Sequence, residues 1–210
     1  MLLVLFVCTG AVCAYLLGSI PTAVWVGKRF YGIDVREHGS GNAGTTNVLR
    51  VLGARAAIPV LLVDVLKGFA AVSLVHLTPE ATPQVAGLVK ISYGLLAVVG
   101  HMYPVFAGFR GGKGVAAMLG IAIAIQPMAT LVAALIFGVV FATTRIVSVS
   151  SMSAGVSFPF AAIFICHEPL LSIRIFSVVV TVLLIYTHRK NIRRLLNGTE
   201  PKTSFKKKET

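Results

Sequence analysis

Seven apolar runs dominate the sequence and restrict the folds open to the chain. They cover residues 2–26, 56–77, 85–106, 115–125, 128–143, 152–166 and 170–187. A helix needs about 20 apolar residues to cross a bilayer, and the first three runs reach that length. The runs show little alternation of apolar and polar residues, which favours helices over a membrane barrel. The sequence therefore predicts an all-α, polytopic transmembrane helical bundle.

The number of membrane spans has two interpretations. Residues 115–143 form one long helix if it continues through Gln126 and Pro127, and residues 152–187 form another if residues 167–169 do not interrupt it. Both mergers together give five spans, whereas separate runs give seven. A proline directly after a polar residue is typical of a tight turn. Seven spans are therefore favoured, with five as the alternative.

The positive charges predict the orientation of the chain. Residues 27–55, 107–114, 144–150 and 188–210 carry 5, 2, 1 and 8 of the 19 lysines and arginines. The positive-inside rule then places the N-terminus outside and the C-terminus inside. Seven spans put all four of these segments in the cytoplasm, whereas five spans put residues 144–150 outside.

The same charges indicate the partners and the domain organisation. The net charge of +12 suits contact with anionic membrane lipids, because most of the cations flank the apolar runs. Membrane lipids are therefore expected partners and nucleic acid is not. The organisation predicted is one transmembrane catalytic domain over residues 1–200 and a basic cytoplasmic tail over residues 201–210. The sequence sets no oligomeric state.

The first cationic segment contains a motif rich in glycine and neutral hydrogen-bond donors. Residues 39–47 read Gly-Ser-Gly-Asn-Ala-Gly-Thr-Thr-Asn. This is not a dinucleotide-binding motif, because charged residues precede it where an apolar strand is needed. Glycine lets backbone N–H groups approach an anion, and a guanidinium suits phosphate. The candidate substrate-binding residues are Ser40, Gly41, Asn42, Thr46, Asn47 and Arg50. The alternative is an ordinary polar loop with helix caps.

The second segment places a lysine among glycines before the fourth apolar run. The sequence Gly111-Gly112-Lys113-Gly114 fails the Walker pattern, because glycine follows the lysine. It still suits an anion, since it leads into a helix N-terminus. His101, near the inner end of the third run, is a candidate base or phosphate donor. Its alternative role is a hydrogen bond to a neighbouring helix.

The third and fourth segments add hydroxyl, imidazole and amide groups. Arg145, Ser148 and Ser151 open the sixth apolar run, and His188 and Asn191 are three residues apart on one helical face. The alternative for residues 188–200 is a basic amphipathic helix on anionic lipid. With seven spans the four segments share the cytoplasmic face. Together they predict a site for more than one phosphate.

The ionisable residues and cysteines inside the apolar runs are predicted to have structural roles. Asp64 and Lys67 are three residues apart in the second run and are predicted to form a buried pair, with direct substrate contact as the alternative. Cys8, Cys13 and Cys166 show no metal-ligand spacing. Neither a metal nor a cofactor is predicted.

The motifs in this order and spacing resemble the bacterial membrane glycerol-3-phosphate acyltransferase family that uses acyl-phosphate as donor. The resemblance runs from Gly18 to Glu200. Thr45 and Ala117 depart from the family, which usually has Ala and Thr at these positions. The stretches that carry it are Gly18-Ser-Ile-Pro21, Gly39–Asn47 with Arg50, Asp64-Val-Leu-Lys-Gly68, Gly100-His101 with Pro104, Phe109–Ala116, Arg145 with Ser148 and Ser151, and His188 with Asn191 and Gly198-Thr-Glu200.

The resemblance implies acyl transfer to the 1-hydroxyl of sn-glycerol 3-phosphate, giving lysophosphatidic acid and inorganic phosphate in phospholipid biosynthesis. The partners would be acyl-phosphate and glycerol 3-phosphate, with a separate acyltransferase as a candidate source of the acyl-phosphate. The location would be the bacterial inner membrane, with the active site facing the cytoplasm. The chain has no His-x-x-x-x-Asp motif, the signature of acyl-CoA-dependent enzymes. The alternative function is a non-catalytic transporter of a phosphorylated or lipid anion. Against it, no internal repeat is evident and the outer loops lack cations.

The resemblance also suggests a role for each candidate. Arg50 and Lys113 would clamp the glycerol phosphate, and Lys113 would also stabilise the carbonyl oxyanion. His188 and Asn191 would orient the acceptor. The proton acceptor is His101, His188 or the phosphate of the donor itself. The residues expected to hold the acyl-phosphate are Ser40, Gly41, Asn42, Ser148 and Ser151.

Overall fold

The structure is a computed structural model, and it describes residues 2–79 and 82–202. The regular elements of this part of the chain are helices, as predicted, and the last eight residues of the predicted tail lie outside it. The main helices are α1 (Leu2–Gly18), α2 (Thr22–Tyr31), α3 (Thr45–Leu52), α4 (Ala54–Ser73), α5 (Pro83–Met102), α6 (Val115–Ile125), α7 (Pro127–Thr144), α8 (Val147–Phe160), α9 (Leu171–Thr187) and α10 (Arg189–Leu196).

Helices cover most of each of the seven apolar runs. Five stretches are long and apolar enough to cross a membrane: Leu2–Tyr31, Ala54–Leu77, Pro83–Ala107, Pro127–Thr144 and Val147–Ile165. A sixth is obtained if α9 and α10, which bend by 56°, count as one span, and α6 is a shorter apolar helix. Seven spans and the orientation of the termini stay predictions.

The two long helices required by the five-span alternative do not form. Gln126 leaves helical geometry between α6 and α7, with φ −142° and ψ 75°. Residues 167–170 are likewise non-helical between Ile165 and α9. Proline at the first position of α7 explains the first break, because it has no N–H with which to continue a preceding helix.

The chain divides into two compact units, Met1–Ile125 and Gln126–Thr210. In the first unit α4 packs against α1, α5 and α6. Gly68 of α4 lies against the backbone of Ala117 on α6, and Gly120 lies against the backbone of Val65. Glycine permits this close approach, as is common between membrane helices. The prediction of a single catalytic domain stays a prediction.

Two connections of the first unit carry candidate residues. We call residues 32–44, between α2 and α3, the first loop, and residues 103–114, between α5 and α6, the second loop. Short 3₁₀ turns interrupt them at Val35–Glu37 and Val105–Ala107. The first loop covers a small apolar core that includes the fully buried Val35 and Val48.

In the second unit α8 packs between α7 and α9. Thr181 on α9 donates from its hydroxyl to the carbonyl of Gly155 on α8, at 2.6 Å. The link between α8 and α9 contains the buried Glu168, whose carboxylate accepts from the Gln126 amide at the start of α7. These polar contacts join the three helices, which apolar surfaces alone hold weakly in lipid.

Candidate active site

Asn47 organises the first loop from inside. Its Oδ1 accepts from the backbone N–H and the hydroxyl of Ser40, at 2.8 and 3.0 Å. Its Nδ2 donates to the carbonyls of Val35 and His38, at 2.8 and 3.0 Å. These four bonds use both lone pairs and both amide hydrogens of the side chain. The Asn47 side chain therefore supports the first loop, and its direct contact with substrate stays a prediction.

The backbone of the first loop is less open than the glycine pattern predicted. Gly39 has φ +63° and no room for a Cβ, because the Asn47 amide oxygen lies there. Gly41 has φ +70°, and its N–H donates to the carbonyl of His38 at 3.1 Å. The N–H groups of Ser40 and Gly41 thus hold the turn. These two N–H groups are therefore used within the first loop and α3.

The start of α3 offers donors for a ligand. Among the residues that the structure describes, no side chain caps this helix N-terminus. The first N–H groups of an uncapped helix attract anions. Thr46 and Arg50 lie on α3 four residues apart, and both are exposed. This spacing puts them on one face of the helix, so the structure brings these two candidates together.

The second loop folds back on the end of α5. The N–H groups of Gly111 and Gly112 donate to the carbonyls of Met102 and His101, each at 3.1 Å. Gly112 has no room for a Cβ, because the His101 Nε2 and the Ala43 carbonyl lie against it. Ala43 belongs to the first loop, so the two glycine-rich loops meet at this point. Lys113 follows on the chain and is half-buried.

His101 joins a buried polar cluster beneath the loops. The carboxylate of Asp64 lies 2.8 Å from the Lys67 ammonium and accepts from the Thr22 hydroxyl at 3.1 Å. Lys67 also donates to the carbonyl of Ile20 at 2.8 Å. The predicted pairing of Asp64 with Lys67 is present in the structure. Its connection with Thr22 was missed, because 42 residues separate Thr22 from Asp64.

The position of His101 favours a supporting role. Its ring is buried, and its Nδ1 lies 3.8 Å from the nearer carboxylate oxygen of Asp64. The cavity between the cluster and Gly112 measures only about 10 Å³. This is room for about one water molecule. His101 thus supports Gly112 and the second loop, and its part in proton transfer stays a prediction.

Two candidate residues of the second unit, Ser148 and Asn191, bond to Glu200. Its carboxylate accepts from the Ser148 hydroxyl at 2.7 Å, from the Asn191 amide at 2.6 Å and from the Arg194 Nε at 2.6 Å. Burial raises the pKa of Glu200, but these three donors together lower it below its ordinary value. Glu200 was part of the family motif, but its role in connecting Ser148 with Asn191 was not predicted.

His188 presents one ring nitrogen in a defined state. The ring is buried, and Nδ1 lies 2.8 Å from the carbonyl of Leu184. A carbonyl only accepts, so Nδ1 carries the proton in this contact. Ser151 is also buried, whereas Arg145 is exposed in left-handed backbone geometry between α7 and α8.

The hydrogen bonds of Glu200 in the second unit lead to a prediction about stability. Glu200→Gln is expected to lower the free energy of unfolding by about 1.5–3 kcal/mol, because hydrogen bonds to a charged acceptor are lost. A carboxylate with a lowered folded pKa stabilises the protein above its unfolded pKa, and this contribution is lost as the pH falls through the folded pKa. Unfolding in mixed micelles at pH 7 and at a series of lower pH values measures both effects, and the difference between the variant and the unchanged protein is expected to shrink as the pH falls. Glu37→Gln, at an exposed carboxylate, is the control, and equal stability of the two variants at pH 7 would contradict the role.

Taken together, the helices and the two polar clusters define a multi-pass helical membrane protein with glycine-rich, cationic loops. The profile of the family described as "Glycerol-3-phosphate acyltransferase" matches residues 8–198. The chain belongs to this family.

Curated relatives match along most of the chain. Glycerol-3-phosphate acyltransferase 3 of Bacillus anthracis is 46% identical over 201 residues, which cover 93% of this chain and 94% of the relative. The glycerol-3-phosphate acyltransferase of Geobacillus kaustophilus (strain HTA426) is 46% identical over 193 residues, covering 91% and 93%.

Two solved structures share the fold. Both are crystal structures of PlsY (YgiH), an integral membrane glycerol 3-phosphate acyltransferase. The glycerol 3-phosphate form is 37% identical with a TM-score of 0.84, covering 94% of this chain and 96% of that one. The lysophosphatidic acid form is 36% identical with a TM-score of 0.81, covering 95% and 96%. The prediction of a helical membrane fold is confirmed.

Proposed function

We propose that this chain transfers a fatty acyl group from acyl-phosphate to the 1-hydroxyl of sn-glycerol 3-phosphate. The observation that carries the proposal is the contact of the two glycine-rich loops at Ala43 and Gly112, in a chain whose solved relative is a glycerol 3-phosphate acyltransferase. In the reaction the hydroxyl oxygen bonds to the acyl carbon. The bond from that carbon to the phosphate oxygen breaks, so the products are lysophosphatidic acid and inorganic phosphate.

The chain's residues suit a mechanism of positioning and charge stabilisation. Acyl-phosphate is an activated mixed anhydride, so no covalent enzyme intermediate is required. We assign the glycerol phosphate to Arg50 and Lys113, with Thr46 and the α3 N-terminus as further donors. Lys113 is also assigned to the developing oxyanion.

The second unit supplies the remaining assignments. The proton acceptor is His188, His101 or the phosphate of the donor itself; the ring of His101 packs under Gly112, and Nδ1 of His188 contacts the Leu184 carbonyl. Asn191 and His188 orient the acceptor. Ser148 and Ser151 contact the acyl-phosphate. Because the Ser148 hydroxyl and the Asn191 amide already bond to Glu200, that carboxylate sets their orientation.

The donor is tested with purified protein in detergent. Acyl-phosphate and glycerol 3-phosphate are expected to give lysophosphatidic acid and an equal amount of inorganic phosphate, followed by mass spectrometry and phosphate release. Acyl-CoA is the comparison donor and is expected to give little product, since the chain lacks the His-x-x-x-x-Asp motif. Comparable turnover with acyl-CoA would overturn the donor, and flux into liposomes without chemistry would favour a transporter.

We further propose that the protein lies in the bacterial inner membrane, with its candidate loops facing the cytoplasm. The cations of the loops support this orientation. Membrane lipids surround the exposed apolar helices, and a separate acyltransferase would supply the acyl-phosphate.

Cysteine labelling distinguishes the two topologies. Thr143 is exposed at the end of α7, whereas the neighbouring Ser148 is buried and a poor labelling site. In a background without Cys8, Cys13 and Cys166, Thr143→Cys is expected to react with a membrane-impermeant maleimide only from the cytoplasmic side.

Two exposed positions serve as controls for that labelling. Lys202→Cys is expected to report the inside and Gln84→Cys the outside. Reaction of Thr143→Cys together with Gln84→Cys, from the outer side, would refute seven spans.

A further inference from the structure

Arg36 in the first loop is held in one orientation by Asp34. Its Nε donates to Asp34 Oδ1 at 2.9 Å, and its Nη2 donates to Oδ2 at 2.7 Å. Both side chains are nearly buried, with 13% and 10% of their surfaces exposed. The same carboxylate accepts from the Arg36 backbone N–H at 3.0 Å. Such a bidentate pair fixes the plane of the guanidinium.

The remaining edge of that guanidinium reaches the second loop. Arg36 Nη1 donates to the carbonyl of Ala107 at 2.8 Å and to the carbonyl of Arg110 at 3.1 Å. These acceptors lie 71 and 74 residues further along the chain, and Arg110 directly precedes Gly111–Gly114. One side chain therefore connects the backbone of the second loop to the carboxylate that caps the 3₁₀ turn of the first loop.

A second contact between the loops lies elsewhere. The Ala43 carbonyl packs against Gly112, closer to α3 than Arg36 is. Two separate contacts restrict the mutual orientation of the loops as well as their separation.

We propose that Arg36 is a positioning residue. It fixes the placement of the first loop and α3 relative to the second loop, which carries Lys113. The inference rests on the proposed function for its catalytic consequence, because it concerns the relative placement of Arg50 and Lys113. Arginine is required rather than lysine, since an ammonium cannot bond bidentately to Asp34 and also bridge two carbonyls. The guanidinium also holds the pKa of Asp34 well below its usual range, so the pair stays ionised at neutral pH.

The first test measures the loops without substrate. Arg36→Gln is compared with Arg29→Gln, which removes an exposed arginine from the adjoining α2. Hydrogen–deuterium exchange is followed in peptides that cover residues 32–44 and 103–114. Arg36→Gln is expected to accelerate exchange about tenfold or more in both peptides, and Arg29→Gln in neither.

The second test measures kinetic constants on the same preparations. Misplacement of a substrate-positioning group by about 1 Å costs on the order of 100-fold in rate. Arg36→Gln is therefore expected to lower kcat by about 10- to 100-fold, with a smaller change in KM for glycerol 3-phosphate, since each loop keeps its own cation. Arg36→Lys is expected to recover less than half of the decrease in log kcat that Arg36→Gln causes. A purely structural role would change the amount of folded enzyme without separating kcat from KM.

The outcomes separate this inference from the proposed function. Faster exchange in protein that has no acyltransferase activity at all would reject the proposed function and leave the connection between the loops standing. Unchanged exchange in both peptides would overturn the connection. Faster exchange with unchanged kcat in active enzyme would overturn the positioning role.

Discussion

Asp64→Asn is expected to lower the free energy of unfolding by about 3–5 kcal/mol. The Asp64 carboxylate is buried and pairs with the buried Lys67 ammonium at 2.8 Å. Removing one partner of a buried pair leaves an uncompensated charge, and that is costly in a protein interior and inside a membrane. Thr22, whose hydroxyl donates to the same carboxylate, cannot replace the lost charge.

Unfolding in graded sodium dodecyl sulfate, followed by circular dichroism, measures this loss. The matched control is the double variant Asp64→Asn/Lys67→Met, which removes both charges and is expected to regain most of the stability. Thr22→Val removes one hydrogen bond and is expected to cost about 1 kcal/mol. A double variant no more stable than Asp64→Asn would show that the pair does not determine the stability of this region.

Arg50→Ala and Lys113→Ala are each expected to lower kcat/KM for glycerol 3-phosphate by about 10- to 100-fold. Charge-assisted hydrogen bonds to phosphate contribute about 1.5–3 kcal/mol, and 1.4 kcal/mol corresponds to one factor of ten. Arg50 lies on the exposed face of α3 beside Thr46, and Lys113 follows the glycine that packs on His101. Arg50→Lys is expected to be impaired as well, because an ammonium lacks the bidentate guanidinium geometry.

Steady-state kinetics at matched concentrations of folded protein test these losses. Arg55→Ala is the control, since it removes an exposed arginine near the start of α4, five residues from Arg50. Truncation after Glu200 is expected to change little, because it keeps the carboxylate that binds Ser148 and Asn191. Near-normal kcat/KM in Arg50→Ala and Lys113→Ala would mean that these cations serve topology alone.

The residue types of the loops predicted their chemistry better than their geometry. Glycines, hydroxyls and amides in the first loop indicated anion binding, yet the Asn47 amide and the Ser40 N–H bond to each other. The glycine pattern cannot distinguish a backbone that binds a ligand from one that binds itself. That difference depends on which carbonyls the turn at Val35–Glu37 brings within reach.

Arg36 and Glu200 show a second reason for what was missed. In the sequence Arg36 is one cation of several near the membrane, and the positive-inside rule accounts for it without any partner. Its acceptors are backbone carbonyls more than 70 residues away, and carbonyls leave no signature in residue types. Glu200 could be found as part of a motif, but its three donors come from two helices and could not be listed from spacing.

The sequence by itself determined the membrane class, the helical fold and the family. Apolar length predicts the helices from local sequence alone, because each helix satisfies its own backbone hydrogen bonds in lipid. Charge placement likewise depends only on which residues flank each apolar run. Only the tertiary structure decided which polar groups bond to other groups of the protein and which remain for substrate. It joined Asp64 and Lys67 to Thr22, placed His101 beneath Gly112, and connected the two loops through Arg36. Those contacts depend on how distant segments pack, because burying a polar group costs free energy unless packing brings a partner within reach.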